Sequence, residues 1–161
     1  MLTIMIEESF GPLPGAKEVA EYISRYRRSD LGLLDIDGAI DLFPENPELV
    51  GIRPRFTFKD GWRLGPHPGV YMVYSEAFDI LYVGKASMGK NIGDRLWTYF
   101  GNGDKCVLKH DTWPKTPRFL VNIAVPDEMP FEAPALEEYL IGALKPPWNA
   151  LGKRSRKSTI R

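Results

Sequence analysis

Cysteine and histidine are scarce in this sequence of 161 residues. Cysteine occurs once, at Cys106, and histidine occurs twice, at His67 and His110. One cysteine excludes an internal disulfide, and so few sulfur and imidazole groups exclude a zinc site built from several such ligands.

Long hydrophobic runs and internal repeats are also absent from the sequence. No apolar run approaches the roughly 18 residues that would span a bilayer. The first ten residues, MLTIMIEESF, lack the basic region and cleavage pattern of a secretory signal. We therefore expect an intracellular, cytoplasmic protein with no membrane partner, made of one globular domain and a modest appendage.

The net charge is zero, but the charges are unevenly distributed. Residues 1–50 carry 4 basic and 10 acidic side chains, residues 51–144 carry 11 of each, and residues 145–161 carry 6 basic and none acidic. The basic end, GKRSRKSTIR, is either a phosphate-binding extension or a solvated terminus. The acidic first third would repel nucleic acid unless it faces away from it.

The first part of the chain, residues 1–62, shows structural patterns but no chemistry. Val19, Ile23 and Tyr26 lie at i, i+4 and i+7, which predicts an amphipathic helix, and a second apolar stretch follows over residues 33–43. We expect a mostly helical, acidic extension of unknown role, whose charge suits a protein partner. Residues 63–152 would form the main domain and residues 153–161 a basic tail.

The main domain shows alternating strand and helix signals. A β-rich hairpin pattern is followed by a short helix, a third strand and a second helix that two prolines terminate. This order, β-β-α-β-α, predicts a mixed α+β fold with a small, central, antiparallel three-stranded sheet flanked by helices. The segments are residues 70–74, 80–84, 92–100, 119–125 and 133–144.

Glu137 is the polar residue that the second helix pattern leaves unexplained. On a helical wheel the buried stripe runs through Leu136, Leu140, Ile141, Ala143 and Leu144, and Glu137 falls between Leu144 and Ile141 while Glu138 points away. An ionised carboxylate beside an apolar face is costly unless it is paired or bound to a cation. Glu137 is therefore either half of an ion pair or a metal ligand.

The hairpin carries two tyrosines whose relative placement depends on its register. A four-residue turn would pair Tyr71 with Tyr82 and put both phenols on one face, whereas a five-residue turn would put them on opposite faces. The following helix carries Arg95 and Tyr99 four residues apart on one side. Singly, each of these residues is more typical of packing or of a solvated surface.

Four short segments follow one another in a fixed order between residues 67 and 152. Two are strand motifs about ten residues apart, the third is a helix with an arginine, and the fourth is a helix with a glutamate that leads to an asparagine. They are Gly69-Val70-Tyr71, Tyr82-Val83-Gly84 continuing as Lys85-Ala86, Gly93 to Phe100 around Arg95, and Leu136-Glu137 through to Pro146-Pro147-Trp148-Asn149. Together they resemble the GIY-YIG nuclease family. The spacing is most similar to the amino-terminal incision domain of bacterial excision-repair nucleases.

The resemblance implies an endonuclease that hydrolyses phosphodiester bonds in DNA. It implies that Glu137 holds a single Mg²⁺ or Mn²⁺, completed by waters and the scissile phosphate, because one carboxylate cannot build a two-metal site. Arg95 would hold two phosphate oxygens with its planar guanidinium. Tyr99 and Asn149 are assigned to substrate orientation or to support of the site.

The general base is the least ordinary role, because no histidine lies in the four motifs. A phenol with a pKa near 10 is ionised to only about one part in a thousand at neutral pH. The resemblance implies that Tyr71 is nevertheless the base, with its pKa lowered by Lys85, Arg95 or the metal ion. Tyr82 and Lys85 would position the water and the phosphate.

Some features depart from the family or leave the role open. Asn91-Ile92-Gly93 stands where a more basic stretch is common, and residues 1–62 match no part of the family. The alternatives are a restriction-like or toxin-type nuclease of the same family, or a catalytically inactive nucleic-acid-binding module. The sequence does not decide between DNA and RNA or give the oligomeric state.

Overall fold

The computed structural model describes residues 2–43, 56–57, 62–102, 105–109 and 112–149. The basic tail and His110, discussed above, lie outside the described residues. The helices are α1 Leu2–Phe10, α2 Ala16–Glu21 continuing as a π-helix Tyr22–Tyr26, α3 Ile92–Phe100 and α4 Glu132–Leu144. The strands are β1 Asp35–Ile36, β2 Ile40–Asp41, β3 Phe56–Thr57, β4 Gly69–Ser75, β5 Ile80–Ala86, β6 Gly101–Asn102, β7 Lys105–Cys106 and β8 Pro117–Ala124.

Six strands form the main sheet, in the order β3-β2-β8-β4-β5, with β1 also paired to β8. The long strand β4 lies between β5 and β8 and is antiparallel to both. These three strands and their flanking helices are those that the sequence predicts, so the α+β class is confirmed. The short strands β1 to β3 belong to the first 62 residues and extend the sheet beyond β8. Two-residue strands carry too little alternation to be recognised in a sequence.

The helix α3 forms where its periodic pattern and its capping residue predict. The side chain of Asn91 accepts a hydrogen bond of 2.7 Å from the backbone N–H of Asp94, which satisfies one of the free amides of the first turn. Ile92, Leu96 and Phe100 are all fully buried, as their spacing predicts. The opposite side of α3 is thereby directed away from the core.

The helix α4 buries the first two turns of its apolar stripe but not the last. Leu136 and Leu140 are fully buried, whereas Leu144 is half-buried and Ala143 is exposed. The wheel places Ala143 in the same direction as Leu136, so the last turn of α4 must project beyond the core. The helix stops at Lys145, which adopts a left-handed φ of 48° before the two prolines.

The helical pattern near the amino terminus is present, but its buried side differs from the expected one. Val19 and Tyr22 are buried, whereas Tyr26 is 60% exposed. A π-helix has a longer repeat than an α-helix, so the switch at Tyr22 breaks the i, i+4, i+7 relation that placed Tyr26 inside.

Residues 2–43 pack against the main domain rather than apart from it. The Tyr74 hydroxyl donates a 2.6 Å hydrogen bond to the carbonyl of Pro14, and Arg27 pairs with Glu132 at the start of α4 at 2.5 Å. Arg118 of β8 donates two hydrogen bonds, of 3.1 and 3.0 Å, to the carboxylate of Asp41. The division near residue 62 stays a prediction.

The sheet is covered on both faces, which gives three layers. Alternate β4 residues pack on opposite sides: Val70 and Met72 with α1, α2 and α4, and Tyr71 and Val73 with α3. The edge strand β5 therefore has α4 on one side and α3 on the other. No helix in the described part of the chain is long and apolar enough to cross a membrane.

Candidate active site

The hairpin of β4 and β5 places Tyr71 and Tyr82 on one face of the sheet. Tyr71 lies opposite Gly84, and Tyr82 lies opposite Val73, with an irregularity between Val73 and Tyr74. Neither simple turn register considered for the sequence is realised, because this bulge shifts the pairing. The two phenols are nevertheless diagonal neighbours, with ring centroids 6.0 Å apart.

Two glycines of the motifs are required by close approach. A Cβ on Gly84 would lie 2.3 Å from the ring and hydroxyl of Tyr71, so the Tyr71 side chain lies directly over Gly84. A Cβ on Gly69 would lie 2.0 Å from the carbonyl oxygen of Ile123 on the neighbouring strand. Any side chain at either position would displace Tyr71 or separate the central strands.

Asn149 binds the outer edge of β5. Its Oδ1 accepts a 2.9 Å hydrogen bond from the backbone N–H of Val83, and its Nδ2 donates a 2.9 Å bond to the carbonyl of the same residue. The side-chain amide thus replaces the missing neighbouring strand at this position. Asn149 thus holds β5 at Val83, between Tyr82 and Gly84.

The helix α3 brings Arg95 and Tyr99, both half-buried beside its core-facing side, to the two hairpin tyrosines. The centroid of the Tyr99 ring lies 6.1 Å from that of Tyr71 and 5.9 Å from that of Tyr82. Among the described residues, neither the Tyr71 hydroxyl nor the buried Nε of Arg95 has a hydrogen-bond partner. Buried polar atoms without partners are uncommon, and they suggest that a ligand or water completes the site.

On the other side of β5, α4 presents Glu137. Its side chain is half-buried, whereas Glu138 is exposed, as the helical wheel predicts. Burial raises the pKa of Glu137, and the positive charges of Lys85 and Arg95 oppose this rise. Within the described ranges Glu137 forms neither an ion pair within 4.0 Å nor a hydrogen bond. Its carboxylate is therefore available to a cation.

These elements enclose a cleft of ≈ 400 Å³ at the edge of the sheet. It unites Tyr82, Lys85, Arg95 and Glu137 from β5, α3 and α4. Its lining also includes Ser87 and Lys90 from the loop before α3, two residues that lie outside the four sequence motifs. Lys90 directly precedes Asn91-Ile92-Gly93 in the sequence, so a basic residue does lie next to that segment.

Tyr71 is held behind the cleft rather than in its wall. Its side chain is 0% exposed, and Tyr82 and not Tyr71 is among the lining residues. Burial raises the pKa of Tyr71 well above its ordinary value, the phenols of Tyr82 and Tyr99 add to the rise, and Arg95 opposes it. Burial likewise raises the pKa of Tyr82, with contributions from Tyr99 and Glu137.

Two tryptophans support the tyrosines. The ring centroid of Trp148 lies 4.9 Å from that of Tyr82 and 3.8 Å from that of Trp113. Trp113 lacked any sequence signal, because it lies between elements. His67 does not line the cleft, since its Nδ1 lies 2.8 Å from Asp127 Oδ1 in an exposed pair.

The donor set of the cleft suits a hard divalent cation with few protein ligands. In the described part of the chain no three His, Cys, Asp or Glu side chains cluster in a way that could hold a metal. Mg²⁺ keeps several waters and takes one or two carboxylates with substrate phosphates, which the single carboxylate of Glu137 could provide. A zinc site, which needs three or four protein ligands, does not fit.

Residues 67–150 match the UvrC-like GIY-YIG domain, over just more than half of the chain. The chain therefore belongs to the GIY-YIG nuclease family, and the resemblance drawn from the four motifs is confirmed.

Its curated relatives include two proteins named UvrABC system protein C. The one from Synechococcus sp. (strain JA-3-3Ab) is 30% identical over 117 residues, which is 70% of this chain and 16% of that protein. The one from Hahella chejuensis (strain KCTC 2396) is 34% identical over 89 residues, or 55% of this chain and 14% of that protein. The chain thus spans about a sixth of the length of these relatives. No solved structure matches the chain significantly.

Proposed function

We propose that this domain is an endonuclease of the excision-repair type that hydrolyses phosphodiester bonds in DNA. The observation that carries the proposal is the cleft at β5, where the cations Lys85, Lys90 and Arg95 surround one available carboxylate, Glu137. Phosphoryl transfer needs stabilisation of charge on the phosphate oxygens and activation of a water, and this cleft offers groups for both.

Arg95 is the group best placed to hold the scissile phosphate. Its side chain lies in the lining of the cleft, and its Nε is a buried donor without a partner among the described residues. A guanidinium can bind two phosphate oxygens at once, which fixes the orientation of the phosphate as well as its charge. Lys85 adds a second positive charge from the opposite side of the strand.

Glu137 would hold the divalent cation, Mg²⁺ or Mn²⁺. When bound there, such a cation supplies Lewis-acid stabilisation of the phosphate and lowers the pKa of coordinated water. Glu137 itself contributes the one negative charge of the cleft lining, close enough to Lys85 and Arg95 that their positive charges oppose the rise in its pKa.

The base that takes a proton from the attacking water must reach that water. The sequence-based assignment to Tyr71 meets an obstacle of access, since this phenol is wholly buried. Burial raises the pKa of both Tyr71 and Tyr82, so the pKa does not separate the two phenols. Tyr82 lines the cleft, and we assign proton transfer to its hydroxyl, with Tyr71 as a positioning residue that supports the Tyr82 ring. Apo geometry often tightens when substrate binds, so the two tyrosines need a direct comparison by mutation.

The proposal is tested by incubating the protein with labelled duplex, nicked, branched and single-stranded DNA and with RNA, with and without Mg²⁺ or Mn²⁺. We expect metal-dependent cleavage of DNA that Glu137→Ala abolishes while DNA binding persists, because the phosphate-binding cations remain. The matched control is Glu138→Ala, which removes the neighbouring exposed carboxylate and should cleave normally.

The outcome also separates the alternatives. Equal losses in the two variants would contradict the assignment of Glu137 as the metal ligand. Binding of nucleic acid without cleavage under any metal would identify a binding module that has lost turnover, and cleavage confined to RNA would change the substrate class.

A further inference from the structure

A second groove adjoins the proposed catalytic cleft along α4. It has a volume of ≈ 780 Å³ and shares Lys85 and Glu137 with the cleft, so the two are continuous. Its other walls come from Pro134 in the first turn of α4, from Ile141 and Gly142 near the projecting end of that helix, and from Lys145 in the turn after it. Sites of about 300–1,000 Å³ commonly hold small organic ligands.

The two compartments differ in charge and in polarity. Of the described residues that line the cleft, three are cationic and one is acidic, which suits a phosphate chain. The groove contains two lysines, Lys85 and Lys145, against Glu137 and Glu138, so it offers no surplus positive charge for a further phosphate. Its aliphatic walls suit instead an uncharged, flat group with an apolar surface.

Gly142 has no structural reason to be glycine. It lies within α4, its φ is not in the left-handed region, and a Cβ built on it would meet nothing within 4 Å. Glycine inside a helix costs about 0.5–1 kcal/mol relative to alanine. The helix does not use it as a cap either, because Lys145 takes the left-handed position. What the missing side chain does is leave the groove open.

From these observations we propose that the groove over Gly142 holds the base and sugar of the nucleotide next to the scissile phosphate. The inference rests on the proposed nuclease function and names a substrate subsite for it. Because a stacked and paired base could not enter the groove, this nucleotide must be unpaired or turned out of the helix. Gly142 then determines which substrates fit, since any large side chain there would fill the space of the base.

The test compares Gly142→Tyr with Ala143→Tyr. Both add the same ring to the exposed last turn of α4, but position 143 lies on the opposite side of the helix from the groove. Dissociation constants are measured by fluorescence anisotropy, without divalent metal, for a labelled thymidine oligonucleotide and for an abasic oligonucleotide of equal length. The wild type should prefer the thymidine chain by about tenfold, near the lower end of what base stacking provides.

Gly142→Tyr should lose this preference, and Ala143→Tyr should keep it. Equal binding of both oligonucleotides by the wild type, equal behaviour of the two tyrosine variants, or no binding of nucleic acid would overturn the proposal. Cleavage assays on the same proteins distinguish failure of the groove proposal from failure of the proposed nuclease function. A base preference that depends on Gly142 in a protein that cleaves nothing would support the groove proposal and reject the nuclease function. Cleavage without a base preference would support the nuclease function and reject the groove proposal.

Discussion

Asn149→Ala tests how the edge strand of the site is held. The alanine removes both hydrogen bonds to the backbone of Val83, each 2.9 Å long, and leaves the rings of Tyr82 and Trp148 in place. A hydrogen bond contributes about 0.5–1.5 kcal/mol to the free energy of unfolding, so two contribute about 2 kcal/mol. For a chain of this size that corresponds to a fall in Tm of about 4–8 °C.

The effect of Asn149→Ala on local opening at Val83 should exceed its effect on the unfolding of the whole protein. With the side-chain amide gone, the N–H of Val83 faces water at the sheet edge, so its hydrogen exchange should accelerate while amides of the central strand β4 stay protected. Because Val83 lies between Tyr82 and Gly84, looser pairing there should also lower the single-turnover cleavage rate. Asn149→Asp keeps an acceptor for the N–H but sets a carboxylate oxygen against the Val83 carbonyl, so it should not restore stability.

Calorimetry, hydrogen exchange and single-turnover cleavage measured on the same samples check each part. Unchanged protection of the Val83 amide in Asn149→Ala would show that the Asn149 side chain does not hold this strand, whatever happened to activity. Full stability in Asn149→Asp would mean that only the acceptor half of the pair matters.

Other predictions concern the chemistry of the cleft and the lone thiol. Tyr82→Phe should lower the single-turnover rate by about two orders of magnitude, the lower range for loss of a general base, whereas Tyr71→Phe should cost less. Since the Tyr71 hydroxyl is buried without a partner in the described structure, its removal should leave Tm unchanged or higher, and a larger rate loss in Tyr71→Phe would return the base role to Tyr71. Arg95→Lys keeps the charge but loses the two-pronged contact, so turnover should fall by about two to three orders of magnitude; normal turnover would reduce Arg95 to a surface charge. Burial, followed by the charge of Asp41, raises the pKa of Cys106 to about 12. The reaction of Cys106 with a thiol reagent at neutral pH should therefore be slow until the protein is unfolded, and fast labelling of the folded protein would contradict this. The stability that the neutral thiol contributes should be lost as the pH rises from the ordinary pKa of cysteine toward the raised pKa of Cys106.

The sequence predicted the parts of the fold whose patterns are long enough to be periodic. The helix of Ile92, Leu96 and Phe100 and the helix α4 carry repeats of about 3.6 residues, and residues 119–125 carry an alternating pattern. The hairpin strands are instead short runs rich in β-branched and aromatic residues, with glycine and proline before the first of them. The short strands β1 to β3 do not, because two residues define no period. The exposure of Tyr26 was not predictable from the helical wheel, because the wheel assumes a repeat of 3.6 residues and the chain changes to a π-helix at Tyr22.

The sequence predicted which residues form the site but not how deeply each of them is buried. The four motifs named Tyr82, Lys85, Arg95 and Glu137, and the structure brings these four to one cleft. The motifs could not show that Tyr71 is buried behind Tyr82. That arrangement depends on the register shift between Val73 and Tyr74 and on the space that Gly84 leaves for the Tyr71 ring. Register and burial arise from contacts between strands, which a motif does not encode.

The acidic first third of the chain need not repel nucleic acid from the cleft, because part of its charge is paired within the fold. Asp41 pairs with Arg118 and Asp37 lies 3.5 Å from Arg63, so part of the acidic excess is neutralised inside the fold. In physiological salt, charges separated by more than about 8 Å are largely screened at the surface, so a phosphate at the cleft responds mainly to the groups that line it. Those groups carry a local excess of positive charge although the whole chain carries none. The net charge is therefore a poor guide to this protein's partner, and the arrangement of charge around β5 is the better one.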